Sequence, residues 1–100
     1  MVVKMLMTWD ILPGREQEYF EFVVREFIPE VQKIGLKPSD AWFTMYGDYP
    51  QILAAMLSPN LTTLQQTLAS NEWDSLVRRL HDYVEDFSYK IIRARGSFQI

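Results

Sequence analysis

The sequence predicts an α+β domain: a four-stranded antiparallel sheet with helices packed on one of its faces. Three observations carry that expectation. Residues 2–12 alternate with period two and hold one wholly apolar set of positions, as a strand with one buried face does. The stretch 9–36, WDILPGREQEYFEFVVREFIPEVQKIGL, passes from that strand through Pro13-Gly14 into a long amphipathic helix. Two further apolar runs flank a Gly-Asp-Tyr-Pro turn, and a second helical region and a closing strand follow them.

In strand one the odd positions are Val3, Met5, Met7, Trp9 and Ile11, and the even positions mix Val2, Lys4, Leu6, Thr8, Asp10 and Leu12. Gly14 is placed to cap the helix after it. In that helix Phe20, Val24, Phe27, Val31 and Ile34 recur at spacings of four and three, which defines the expected buried stripe, with the glutamates mostly off it. Pro29 lacks the N–H that would bond one turn back, so a kink is expected near Arg25-Glu26. Gly35 ends the helix as its C′ residue. Residues 41–46 and 51–58 read as strands two and three, a hairpin turning at 47–50. Ser58 or Asn60 caps a short helix, 61–69. Ser70 or Asn71 caps another that runs to about Asp86, with Trp73, Leu76, Val77, Leu80, Val84 and Phe87 as its stripe. Residues 88–94 form strand four. The order β-α-β-β-α-β is the ferredoxin-like arrangement.

The chain has 100 residues, which bounds it to a single domain spanning 1–100, and 48% of them are hydrophobic, enough for a packed core. The net charge of -3, without clustered Lys and Arg, argues against a nucleic-acid partner. With no cysteine there are no disulfides, thiolate metal sites or Cys nucleophiles. The apolar start, residues 1–7, is too short for a membrane span and has no small-residue cleavage site; no membrane partner and a cytoplasmic location are expected. The one histidine, His81, with Glu85 and Asp82, supplies too few ligands for zinc, so no metal is expected. No G-x-S-x-G elbow and no phosphate-cradling glycine loop is present.

Strand three is apolar on both faces: Leu53, Ala55 and Leu57 on one, Ile52, Ala54 and Met56 on the other. Strand two offers Phe43 and Met45 on one face, Trp42 and Tyr46 on the other. Helices cover only one face of a sheet, and a solvated second face would alternate with polar residues. At ~25 cal/mol per Å² of apolar area, several large exposed side chains are a liability of a few kcal/mol. A homodimer packed sheet to sheet about a two-fold axis resolves it.

A strand running into PGREQEYFEF, a hairpin, and SPNLTTLQQTLASNEWDSLVRRLHDYV before a closing strand together resemble the dimeric α+β barrel superfamily, in particular its antibiotic-biosynthesis-monooxygenase-like and NIPSNAP-like domains. The likeness covers almost the whole chain and rests on fold markers. It implies the ferredoxin-like fold and the sheet-to-sheet homodimer, and it admits cofactor-free oxygenases, haem-degrading enzymes, isomerases, decarboxylases and proteins without known activity. Haem-degrading members have a Trp-Leu-x-Ser segment with a ligating His seven residues after the Ser. Here Thr67 stands in the place of that Trp and Val77 in the place of that His, and His81 is one turn further on. No cofactor is expected.

Three functional readings follow: a cofactor-free oxygenase- or isomerase-type enzyme acting on an apolar or aromatic metabolite, a non-catalytic binder of such a compound, and a purely structural dimerisation domain. Any ligand site is expected between helices and sheet. Trp9 projects from the apolar face of strand one and Trp73 from the stripe of the last helix, while His81 adds a polar edge. His81 is also the candidate general base, its ordinary pKa being near neutral. The plain alternative for His81 is a half-exposed helix residue among acids, and for Trp9, Trp42, Tyr46, Trp73 and Tyr83 it is core or interface packing. Arg93 and Arg95 are placed to meet a carboxylate or enolate, or simply to blunt a sheet edge. Asp74 and Arg78, four apart, read as a surface ion pair.

Overall fold

A computed structural model of the protein describes residues 1–43 and 51–93, Trp42 and Phe43 as backbone alone. β1 (Val3–Ile11) leads into a helical run of three parts: α1 (Glu16–Phe22), a π-helical turn (Val23–Phe27) and α2 (Ile28–Lys33). β2 (Lys37–Phe43), β3 (Ile52–Ser58), α3 (Leu61–Leu68), α4 (Asn71–Leu80) and β4 (Val84–Arg93) complete the chain order. The strands lie in the order β2-β3-β1-β4, all neighbours antiparallel. This is the expected ferredoxin-like sheet, with the helices on one face. Among the described residues no helix is long and apolar enough to cross a membrane.

The odd positions of β1 are all buried and its even positions intermediate, so the period-two pattern marks the helix-facing side as predicted. Residues opposite one another in an antiparallel pair share a face. The register Met5↔Met56, Met7↔Ala54 and Trp9↔Ile52 therefore places Ile52, Ala54 and Met56 under the helices. Leu53, Ala55 and Leu57 lie on the helix-free face with Leu6 and with Lys90 and Ile92 of β4. Beyond Trp9↔Ile52 the β1–β3 ladder is continued by side chains: Gln51 N–H donates to Asp10 Oδ1, and Ile11 N–H to Gln51 Oε1, each at 2.8 Å.

The first helical run departs from the expected stripe. Its buried residues are Tyr19, Phe22, Phe27 and Val31, at spacings of three, five and four. Phe20 and Val24 are 50% and 66% exposed. The five-residue step spans the π turn, which adds one residue to the coil and rotates everything before it relative to an uninterrupted α-helix. Arg25-Glu26, the place at which Pro29 predicts a kink, lies inside this turn. Pro29 sits in the first turn of α2, where its missing donor leaves no further gap. The run closes with the two bonds of a Schellman motif, Leu36 N–H to the Val31 carbonyl and Gly35 N–H to that of Gln32 (2.9 and 3.1 Å), with Gly35 at φ +95°. Gly14, at φ +85°, belongs to a turn closed by Arg15 N–H on the Leu12 carbonyl, and Arg15 takes the N-cap position.

Two strands begin earlier than expected. β2 starts at Lys37 and accommodates Pro38 because it is an edge strand with a register shift between Pro38 and Asp40. α4 ends at Leu80, not near Asp86, and Val84 and Phe87 belong to β4. Leu12 N–H donates to the Tyr83 carbonyl and Ile11 pairs with Val84, so the end of β1 draws this segment into the sheet. A spacing of four then three fits inward positions of either a helix or an irregular strand here. The irregularity is a bulge: Thr8 pairs with Ser88 and Asp10 with Glu85, leaving Asp86 and Phe87 opposite Trp9. Asp86 has φ +56°, a left-handed conformation that Asp tolerates better than most residues. Asn60 and Ser70 are the caps of α3 and α4, and Asp74 and Arg78 form the expected pair at 3.0 Å. Residues 44–46 of the expected second strand, the 47–50 turn, Ala94 and Arg95 lie outside the described residues.

Deleting the exposed Val24 restores a spacing of four between Phe22 and Phe27 and should convert the π turn to regular α-helix. The expected outcome is a folded protein whose thermal midpoint is not lowered, measured by circular dichroism. Loss of the cooperative transition would show that the π turn is required for the fold.

Candidate functional site

Trp9 is almost fully buried at the centre of an aromatic cluster. Tyr19 and Phe27 meet it edge-on, with ring centroids at 6.5 and 6.0 Å. Phe87, carried over it by the β4 bulge, stacks at 5.9 Å with 14° between the planes. The indole Nε1–H donates to the Tyr19 hydroxyl oxygen at 2.9 Å. Indole nitrogen is a donor only, so the phenol oxygen must accept, and the Tyr19 O–H keeps its own proton to give. Among the described residues no acceptor meets it. Burial pushes the Tyr19 pKa above the ordinary tyrosine value, against a smaller opposite effect of the bond from Trp9. The hydroxyl is thus neutral at physiological pH and acts as a donor.

Beside this pair, between the first helical run and the β2–β3 side of the sheet, lies a pocket of about 300 Å³. Trp9, Tyr19, Val23, Phe27, Ile52 and Met56 supply much of its wall, so both ends of the π turn border it. β2 forms the rim through Pro38, Ser39, Asp40 and Ala41. Ser39 Oγ donates to the Ala55 carbonyl at 3.2 Å, and the half-exposed Asp40 carboxylate faces Lys4 at 4.0 Å. Among the described residues the lining is mostly apolar, with the hydrogen-bonded Trp9 and Tyr19 at one side of it.

Of the residues singled out in the sequence, the structure brings Trp9 to this pocket and neither Trp73 nor His81. Trp73 is buried in the first turn of α4 and His81 follows that helix's last residue. Eight residues separate them, about 12 Å along a helix at the usual rise. His81 is exposed, its Nδ1 bonded to the Val77 carbonyl at 2.8 Å, and it faces Phe87 at 5.6 Å. Val77 is partly buried against the core. Arg93 is exposed at the end of β4. Tyr19 is the pocket residue that periodicity missed: on an ideal helix Phe20 takes its place. The signal available was its chemistry, since a buried tryptophan needs an acceptor and Tyr19 lies ten residues on across the Pro-Gly turn.

No protein-family model and no curated protein matches the chain. Solved structures do. A NIPSNAP family protein from Agrobacterium tumefaciens superposes with a TM-score of 0.75 at 19% identity, over 96% of this chain and 95% of its own. An ethyl tert-butyl ether d (EthD) family protein from Bacillus halodurans gives 0.72 at 17% identity, over 95% and 100% of the two chains. A structure from Bacteroides fragilis, described as a dimeric protein of unknown function with a ferredoxin-like fold, gives 0.62 at 14% identity, over 93% and 96%. At these identities the likeness is one of fold, and the fold is the NIPSNAP-like one the sequence resembles.

Tyr19→Phe leaves the Trp9 N–H buried without a partner and should cost about 1–3 kcal/mol in urea denaturation at neutral pH. Because the folded pKa of Tyr19 is raised, its contribution is complete below the unfolded value of about 10 and declines as pH rises through the folded value. The gap between wild type and Tyr19→Phe should therefore shrink on going from pH 8 to pH 11. A constant gap would contradict the assignment.

Proposed function

We propose that the protein binds a small apolar or aromatic metabolite in the pocket beside Trp9. The observation that carries this reading is a largely apolar cavity of about 300 Å³ bordered by Trp9 and Tyr19, which a buried hydrogen bond joins. That volume lies at the lower end of the range for ligand sites. A filled interior would have spoken for a structural role alone. In its finer form the reading is a cofactor-independent oxygenase- or isomerase-type enzyme. Its support is an apolar wall against which an electron-rich ring would lie, with the Tyr19 hydroxyl as a donor for developing charge on its oxygen. Turnover under oxygen separates this from a non-catalytic binder.

A planar apolar compound bound there should quench tryptophan fluorescence and raise the melting temperature by mass action. His81→Ala is the control: stability within ~0.5 kcal/mol of wild type and unchanged binding are expected for an exposed residue away from the pocket. A tenfold loss of binding or turnover in that variant would return His81 to the site.

The same reading includes a homodimer packed through the helix-free face. Leu6, Leu53 and Leu57 are half-buried there and Ile92 is 36% exposed. The Bacteroides fragilis structure of like fold is described as dimeric. Leu53→Glu should shift wild-type dimer to folded monomer in light scattering at micromolar concentration. Ile52→Glu and Met56→Glu, which put the charge under the helices, should unfold the chain instead. A monomeric wild type at that concentration would refute the dimer.

A further inference from the structure

Among the described residues of the pocket wall, two buried polar side-chain groups are joined, the Trp9 indole N–H and the Tyr19 hydroxyl, and their bond has a fixed sense. Trp9 Nε1–H occupies the Tyr19 oxygen at 2.9 Å, so the Tyr19 O–H keeps its own proton to give, and Tyr19 borders the cavity. A ligand donor could reach that oxygen only as a second donor, and the phenol proton would then be left against an apolar wall, at the cost of an unmade buried bond. Towards the rim, Ser39 already gives its proton to the Ala55 carbonyl, and Asp40 is half-exposed beside Lys4, so neither places a comparable demand on the ligand. From this, and resting on the reading of the pocket as a ligand site, we infer that the pocket selects by hydrogen-bond polarity. It takes a flat apolar compound whose inner end carries an acceptor oxygen, such as a ketone, and discriminates against the counterpart that carries a donor. Trp9 sets that polarity without needing to touch the ligand's oxygen, which makes it a positioning residue for Tyr19.

Three two-ring probes of nearly equal size separate the possibilities in titration calorimetry: 1-indanone, with an acceptor; indole, with a donor; and indene, with neither. The expected order is indanone at least tenfold tighter than both others. Trp9→Phe frees the Tyr19 oxygen to accept as well as donate. In that variant, indole should close on indanone to within about threefold while indanone keeps its lead over indene. Should Trp9→Phe fail to fold, the wild-type order alone decides. Equal affinities of the three probes in wild type would overturn the polarity inference and leave the binding site standing. No heat from any probe at saturating concentration would overturn the site as well.

Discussion

The bond from Trp9 to Tyr19 is the constraint around which the rest of the fold is arranged. A buried tryptophan towards the end of a central strand has an N–H that water cannot reach, and an unmet buried donor is expensive. Tyr19 meets it from the first helix. To do so the helix must present Tyr19 and Phe22 at its start and Phe27 and Val31 further on, a pattern no uninterrupted α-helix allows. The π turn at Val23–Phe27 supplies the extra residue. On the opposite edge, the β4 bulge at Asp86 lays Phe87 over the same indole. One side chain thus holds together the central strand, the first helix and an edge strand.

The pocket follows from the same geometry. A π turn is wider than an α turn, and here it lies over the β2–β3 side of the sheet, where β3 offers Ile52, Ala54 and Met56 and β2 bends at Pro38. The small Ala54 leaves room that a larger residue in the same register would fill. The pocket wall is therefore made of residues with structural duties elsewhere: Trp9, Tyr19 and Phe27 anchor the core as well as bounding the space. Changes on this wall will mix stability with binding, which is why the sense of a hydrogen bond, more than its loss, is the informative quantity.

Much of the fold was legible in the sequence for identifiable reasons. The unbroken apolar set Val3, Met5, Met7, Trp9 and Ile11 survived intact because a central strand has no freedom to slip. Asn60 and Ser70 are short polar side chains just before apolar periodic runs, and each caps its helix. The errors sit where period fails. The spacing of Phe20, Val24, Phe27 and Val31 suits an ideal helix, and a single inserted residue moved the first two to the surface. Leu80, Val84 and Phe87 keep helical spacing although the last two lie in a strand, because a bulge breaks the period of two. The wall of the candidate pocket divides the same way: Trp9 lies on the regular strand that the pattern marks, whereas Tyr19, on the rotated side of the π turn, falls off the ideal stripe. Which face of β3 meets the helices needed the register, since both faces are apolar.

The chemistry open to this pocket is bounded by what burial does to a phenol. With its pKa raised, Tyr19 does not take up the role of a base near neutral pH; it gives a hydrogen bond and keeps its proton. A group of that kind stabilises charge gathering on a ligand oxygen and holds a ring in one orientation, and it does so most strongly where water is excluded. His81 is exposed, with its Nδ1 on the Val77 carbonyl, and it lies away from this pocket. On the proposed reading, then, reactivity would have to reside in the bound compound itself, its own acidity or electron richness, with the protein contributing shape, dryness and one well-aimed donor. A pocket of that design binds before it catalyses, and the polarity of what it binds is the first property to establish.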